Sequence, residues 1–138
     1  MPDAISEQTL LAMPASEYMN AVQRHFFRNR LLRLARDCEQ EMDSARRTLR
    51  TPTQADPLDA AVDEEACRHQ LRFLERRQGL LAKARAALRR LENGEYGYCR
   101  HSGEPIGLRR LLARPTTEYC AEVKARLEQN ERHYQRTG

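Results

Sequence analysis

The chain has 138 residues, of which 32% are charged and only 6% aromatic, with no tryptophan and a formal net charge of +4. That length suits one folded domain, or one domain with an extended appendage. Long Leu/Ala/Arg/Glu-rich segments point to solvated helices rather than a large core. No apolar run approaches the ~18 residues of a membrane span, and no basic-then-apolar leader opens the chain, so a cytoplasmic protein is expected. Opposite charges alternate along the helical segments, the pattern of a solvated face, so the net charge is not read as a footprint for sequence-specific DNA contact.

Residues 1–16 read as a loose N-terminal segment with one short helix over Ser6 to Met13. A long helical pattern then spans about Ser16 to Thr48, with Ser16 as N-cap and Met19 opening the first turn. Its apolar or small positions are Phe27, Leu31, Leu34, Cys38, Met42, Ala45 and Leu49. The steps are four, three, four, four, three and four, close to a heptad with one stutter.

Thr51-Pro52-Thr53-Gln54-Ala55 breaks the pattern, because proline removes a donor and disfavours helix in the residue before it. A second helix opens with Asp56 as N-cap, Pro57 at the first helical position and Asp59 in the first turn. Its seam is traced through Val62, Ala66, His69, Phe73, Leu80, Ala84, Ala87 and Leu91, and Asn93-Gly94 ends it with a left-handed cap. A short polar turn between two long helices predicts an antiparallel coiled-coil hairpin over 17–93, with its tip near 51–61. Each arm reaches roughly 50 Å at ~1.5 Å per residue. The hairpin satisfies its own seam, which predicts a monomer.

From 94 to 138 the texture changes. Tyr96-Gly97-Tyr98-Cys99 and Gly103-Glu104-Pro105-Ile106-Gly107 suit short strands and tight turns, and Thr116 or Thr117 can cap a last helix running to about Tyr134. The fold class is thus all-α dominated, a long coiled-coil hairpin carrying a small zinc-ribbon-like head and a C-terminal helix.

The head contains a metal-site pattern with half its ligands replaced. Cys99 and Cys120 stand where a zinc knuckle places its first and third ligands, and Ser102 and Val123 stand at the second and fourth. Structural zinc takes four tetrahedral ligands, nearly always Cys or His, and neither serine nor valine replaces a thiolate. Three readings of the two thiols stand open: residual metal binding with His101 or an outside ligand, a redox pair, or packed remnants in a head held by burial. On the third, Val123, Tyr98, Ile106, Leu108, Leu111, Leu112 and Tyr119 supply the apolar contacts and no zinc is expected. In a reducing compartment the cysteines are expected as thiols, and Cys38 and Cys67, within helices, as small buried side chains. His25, His69 and His133 read as structural. No nucleophile elbow, phosphate loop or paired-carboxylate cleft is present in the sequence, so an enzyme is not expected.

The hairpin, the Ala55-Asp56-Pro57-Leu58-Asp59-Ala60-Ala61 turn, the Gly94 to Cys99 knuckle and the Gly103 to Thr116 segment together resemble the DksA/TraR family of bacterial RNA polymerase secondary-channel regulators. The last segment carries Ile106-Gly107-Leu108-Arg109-Arg110-Leu111 and Ala113-Arg114-Pro115-Thr116. The resemblance runs from about Tyr18 to Glu131. It implies a coiled coil that enters the polymerase channel, a head that docks outside it, and action on open complexes together with the alarmone ppGpp. By motif, the tip residues are Asp56, Asp59 and Ala61, the ppGpp surface shared with polymerase falls on Lys83, Arg114 and Lys124, and Arg76 and Leu80 fall where the family contacts the channel rim. With only Cys99 and Cys120 kept, the chain resembles the zinc-independent members. Without the resemblance, Asp56 and Asp59 are helix-capping carboxylates and the three cations are solvated surface. The competing functions are a basic DNA-binding ribbon protein and a structural coiled-coil adaptor.

Overall fold

The computed structural model describes residues 5–49 and 57–137, with side chains placed for 5–49 and 63–134. Five α-helices occur among them: α1 (Glu7–Ala12), α2 (Ala21–Leu49), α3 (Pro57–Glu92), α4 (Leu108–Ala113) and α5 (Ala121–Thr137), with a 3-10 turn at Ala15–Glu17. Two compact units divide the chain, Met1–Leu31 with Ala86–Gly138, and Leu32–Arg85.

In the unit of Leu32–Arg85, α2 and α3 pack along an apolar seam of Cys38, Met42 and Leu81, flanked by Leu34, Ala35, Leu74 and Leu80. Arg85 pairs with Glu39 at 3.0 Å and Arg77 with Glu41 at 2.9 Å. Partner numbers rise on one helix as they fall on the other, so the arms are antiparallel. These pairs are solvent-exposed and worth little energy, roughly 0–1 kcal/mol each; they report register. On α2 the expected seam is the observed one, with Phe27, Leu31, Cys38, Met42 and Ala45 buried. On α3 the seam differs at its start: Ala66 and His69 are exposed, and Leu81 is buried more deeply than Leu80. Cys67 is likewise exposed rather than buried. A run in which Leu80 and Leu81 both satisfy the period leaves the phase of a single helix undecided, and the partner helix sets it.

In the other unit, Leu10, Met19, Phe27, Leu31, Ala87, Tyr96, Cys99, Ile106, Leu111 and Val123 form one core. The start of α2 departs from expectation. Ser16 lies in the 3-10 turn, and Met19 holds a left-handed φ of 56°. Asn20 is the cap instead, its Oδ1 accepting the Gln23 N–H at 2.8 Å. The Gln23 side chain reaches back to accept the Met19 N–H at 2.8 Å. The arrangement resembles a capping box, except that the Gln23 side chain reaches the residue before the cap, the Asn20 N–H being taken by the Glu17 carbonyl at 3.0 Å; Gln23 is completely buried.

The end of α3 is as expected. Gly94 has φ 74°, the Glu95 N–H reaches the Arg90 carbonyl at 2.8 Å, and the Gly94 N–H reaches that of Leu91 at 3.3 Å. This double bond pattern is a Schellman cap. In the head, the expected strands reduce to one antiparallel bridge between Tyr98 and Pro105. The segment is too short for a ladder, and α4 forms where no helix was anticipated. α5 starts at Ala121, so neither Thr116 nor Thr117 caps it; Thr117 Oγ1 donates instead to the Tyr119 carbonyl. Tyr98 is exposed, and Tyr96 takes the buried aromatic place.

Candidate functional site

The knuckle folds through a turn in which the Gly103 N–H reaches the Cys99 carbonyl at 2.9 Å and the Cys99 N–H reaches the Glu104 carbonyl at 2.8 Å. Gly103 has φ 76°, a left-handed value that closes the turn without strain. Cys99 is buried, Cys120 half-buried, and both are free thiols. Burial raises the Cys99 pKa, but the Ser102 hydroxyl and the N–H groups of Cys120, Ser102 and His101 outweigh it and bring the thiol down to about 6. Hydrogen bonds to the charged form favour it.

The residues at the other two ligand positions are otherwise engaged. The Ser102 hydroxyl lies 4.0 Å from the Cys120 sulfur and accepts the Glu104 N–H at 3.3 Å. Val123 is 2% exposed and belongs to the core with Ile106 and Leu111. This donor set does not fit a tetrahedral four-thiolate zinc, and no group of three or more His, Cys, Asp or Glu among the described residues could hold a metal ion.

Residues 114–120 link α4 to α5, with Arg114 at one end and Lys124 one turn beyond the other. The loop is tied down at four carbonyls, those of Pro115, Thr116, Glu118 and Tyr119. Tyr96 Oη donates to Pro115 O at 2.7 Å. Arg90 Nη2 approaches Thr116 O at 3.5 Å. The Arg100 N–H donates to Glu118 O at 2.9 Å, and Arg110 Nε to Tyr119 O at 3.0 Å. The Glu118 carboxylate takes Arg90 Nη1 on Oε1 at 3.0 Å and Arg100 Nη1 on Oε2 at 3.1 Å. Burial pulls the Arg90 guanidinium below its ordinary pKa, and Glu118 pushes back in favour of the charge. Burial raises the Tyr96 phenol, which stays protonated and a donor.

Arg114 and Lys124 are exposed and pair with no described carboxylate. The structure therefore brings these two sequence-assigned residues to either end of one braced loop. The unit of Leu32–Arg85 holds Arg76, Leu80 and Lys83, spaced four and three apart on one face of α3; Arg76 and Lys83 are exposed and Leu80 half-buried. At the tip, Asp59 and Ala61 lie in the first turns of α3, where Pro57 is the first helical residue as expected; their side chains and all of Asp56 lie outside the described placement. A groove of about 490 Å³ beside the coil is lined by the opposed charges of Glu39, Asp43, Arg46 and Arg85, which satisfy one another rather than select a ligand. Sequence reasoning missed Arg90, Arg100 and Glu118. No spacing rule links three residues that meet only when a helix end, a turn and a loop pack together.

No described helix is long and apolar enough to cross a membrane. The profile of the DksA N-terminal domain matches residues 23–91, and that of the prokaryotic dksA/traR C4-type zinc finger matches residues 94–129. The RNA polymerase-binding transcription factor DksA of Caulobacter vibrioides is 39% identical over 117 residues, covering 83% of this chain and 82% of its own length. That of Escherichia coli K12 is 34% identical over 121 residues, covering 86% and 80%. The solved structure of transcription factor DksA2 from Pseudomonas aeruginosa superposes with a TM-score of 0.83 at 46% identity, covering 93% of this chain and all of that one. A two-helix hairpin, a knuckle with the family's spacing and matches across both segments identify the chain as a member of the DksA/TraR family.

Proposed function

We propose that this chain regulates transcription by binding RNA polymerase in its secondary channel, and that with ppGpp it alters open-complex stability at promoters without needing zinc. The observation that carries this reading is the match, across more than 80% of the chain, to factors named for binding RNA polymerase. As a member of a family of transcription factors the chain acts by binding rather than by catalysis. The hairpin delivers Asp56, Asp59 and Ala61 into the channel, and Arg76 and Leu80 meet its rim. Lys83, Arg114 and Lys124 contribute to a ppGpp site completed by polymerase. A pyrophosphate group takes an arginine fork and lysine point charges, and among the described residues none of these three cations has a carboxylate partner, which supports that assignment. One copy in the cytoplasm acts on one polymerase.

Zinc independence rests on the donor set. Structural zinc supplies roughly 10–16 kcal/mol of apparent binding energy in small zinc domains; here buried Val123 packs with Ile106 and Leu111 at a ligand position. The test is transcription in vitro from a ribosomal RNA promoter, with and without ppGpp and in the presence of chelator. The wild-type chain is expected to inhibit, more strongly with ppGpp. Asp59→Asn is expected to abolish inhibition while competing for polymerase as well as wild type does. Loss of polymerase affinity in that variant, or loss of wild-type activity with chelator, would overturn the respective part of the reading.

A further inference from the structure

Arg90 is a buried cation, only 11% exposed in its side chain, four residues before the helix-ending Gly94. Its guanidinium faces the Glu118 carboxylate, which Arg100 of the knuckle also holds. Removing one partner of such a pair leaves a buried charge without compensation, so the pair is a strong constraint on where residue 118 can sit. Arg90 touches the loop a second time at the Thr116 carbonyl, and the neighbouring Pro115 carbonyl is held by Tyr96. These contacts are all made between Arg114 and Lys124, so they set the separation of two cations that are themselves long, exposed and without a carboxylate partner among the described residues.

We infer that Arg90, acting through Glu118, is a positioning residue for anion binding by Arg114 and Lys124: it holds the intervening loop so that both cations meet one phosphate-bearing ligand without reorganisation. The inference rests on the proposed alarmone role of those two residues. A planar fork suits this task better than an ammonium, because it satisfies a carboxylate and a carbonyl at once. Exposed cations that must find their geometry at the moment of binding lose affinity to ordering, whereas a braced loop reduces that cost.

The experiment uses the full chain with RNA polymerase at a ribosomal RNA promoter, titrating ppGpp against Arg114→Ala, Glu118→Gln, Arg90→Met, Arg90→Lys and the double variant Arg114→Ala/Glu118→Gln. Glu118→Gln keeps size and removes charge. It and Arg90→Met are expected to raise the ppGpp concentration for half-maximal effect roughly tenfold, with inhibition in the absence of ppGpp unchanged. Arg90→Lys, which retains the ion pair, is expected to recover part of that loss. The double variant is expected to lose less than the sum of the two single variants, since both act on one ligand. If Arg114→Ala leaves the ppGpp response intact, the alarmone reading itself fails. If Arg114→Ala shifts the response but Glu118→Gln and Arg90→Met do not, or if these two also lose inhibition without ppGpp, the positioning role is overturned.

Discussion

The Ser102 hydroxyl lies 4.0 Å from the Cys120 sulfur, placing a hydroxyl where a zinc knuckle of this spacing would place a second thiolate. Its oxygen also accepts the Glu104 N–H, adding a side-chain bond to the turn that the Cys99–Gly103 and Cys99–Glu104 backbone bonds close. Together with Val123 in the core, it explains how the backbone can keep a knuckle shape with two thiols.

Restoring the missing ligands is expected to restore the metal. The double variant Ser102→Cys/Val123→Cys should bind one zinc per chain by elemental analysis and gain a chelator-sensitive melting transition. The wild-type chain should melt at the same temperature with and without chelator. Stoichiometric zinc in the purified wild-type protein would contradict this account.

Val123 is expected to carry stability of its own. Val123→Ala removes about two buried methylene equivalents and leaves a small void, a loss of about 2 kcal/mol. Urea denaturation measures it; a loss near zero would mean that the head is not held by burial at this point.

Cys99 makes stability depend on pH. The folded thiol titrates at about 6 and its ordinary value is 9.0, so between these limits the unfolded chain binds more protons than the folded one. Stability therefore rises with pH across that window, is fully present above about pH 9, and is lost as pH falls through 6. Melting temperatures taken from pH 6 to 9 should climb in wild type relative to Cys99→Ala. Parallel curves for the two proteins would show that the thiolate is not specially stabilised.

The entry to α2 offers a test at a fully buried amide. Gln23→Ala leaves the Met19 N–H without its acceptor, at an expected cost of about 1–3 kcal/mol. Asn20→Ala removes the cap on the Gln23 N–H and should cost about 1 kcal/mol. Because both bonds meet at Gln23 in one helix entry, the double variant should lose less than the sum.

Met19 meets the knuckle closely. A Cβ on Gly97 would fall 2.8 Å from both Cγ and Sδ of Met19, at a φ of 93°. Gly97→Ala is expected to cost about 2 kcal/mol. Met19→Ala in the same background should return only part of this, since it relieves the contact and not the backbone strain.

Much of the fold is legible in the chain because it follows from local rules. The four-and-three spacing from Phe27 to Leu49 sets the buried stripe of α2, Pro57 starts α3, and Asn93-Gly94 ends it. Each depends on residues within a turn or two of one another. The spacing of Cys99, Ser102, Cys120 and Val123 likewise reveals a knuckle two donors short, and the burial of Val123 follows from its chemistry.

Other features depend on which surfaces meet. Ser16 and Asn20 are both acceptable caps by residue type, and Asn20 prevails where Gln23 can fold back onto Met19 inside the core. Leu80 and Leu81 both fit the period of α3, and packing against α2 buries Leu81 more deeply. The strand-like glycine pattern yields a single bridge, because no neighbouring strand among the described residues extends it. Arg90, Arg100 and Glu118 are ordinary charges in the sequence, among 24 cations and 20 anions. Only the packing of helix end, turn and loop makes one of them buried and joins all three, because pairing across such separations depends on desolvation and distance, which no local pattern encodes.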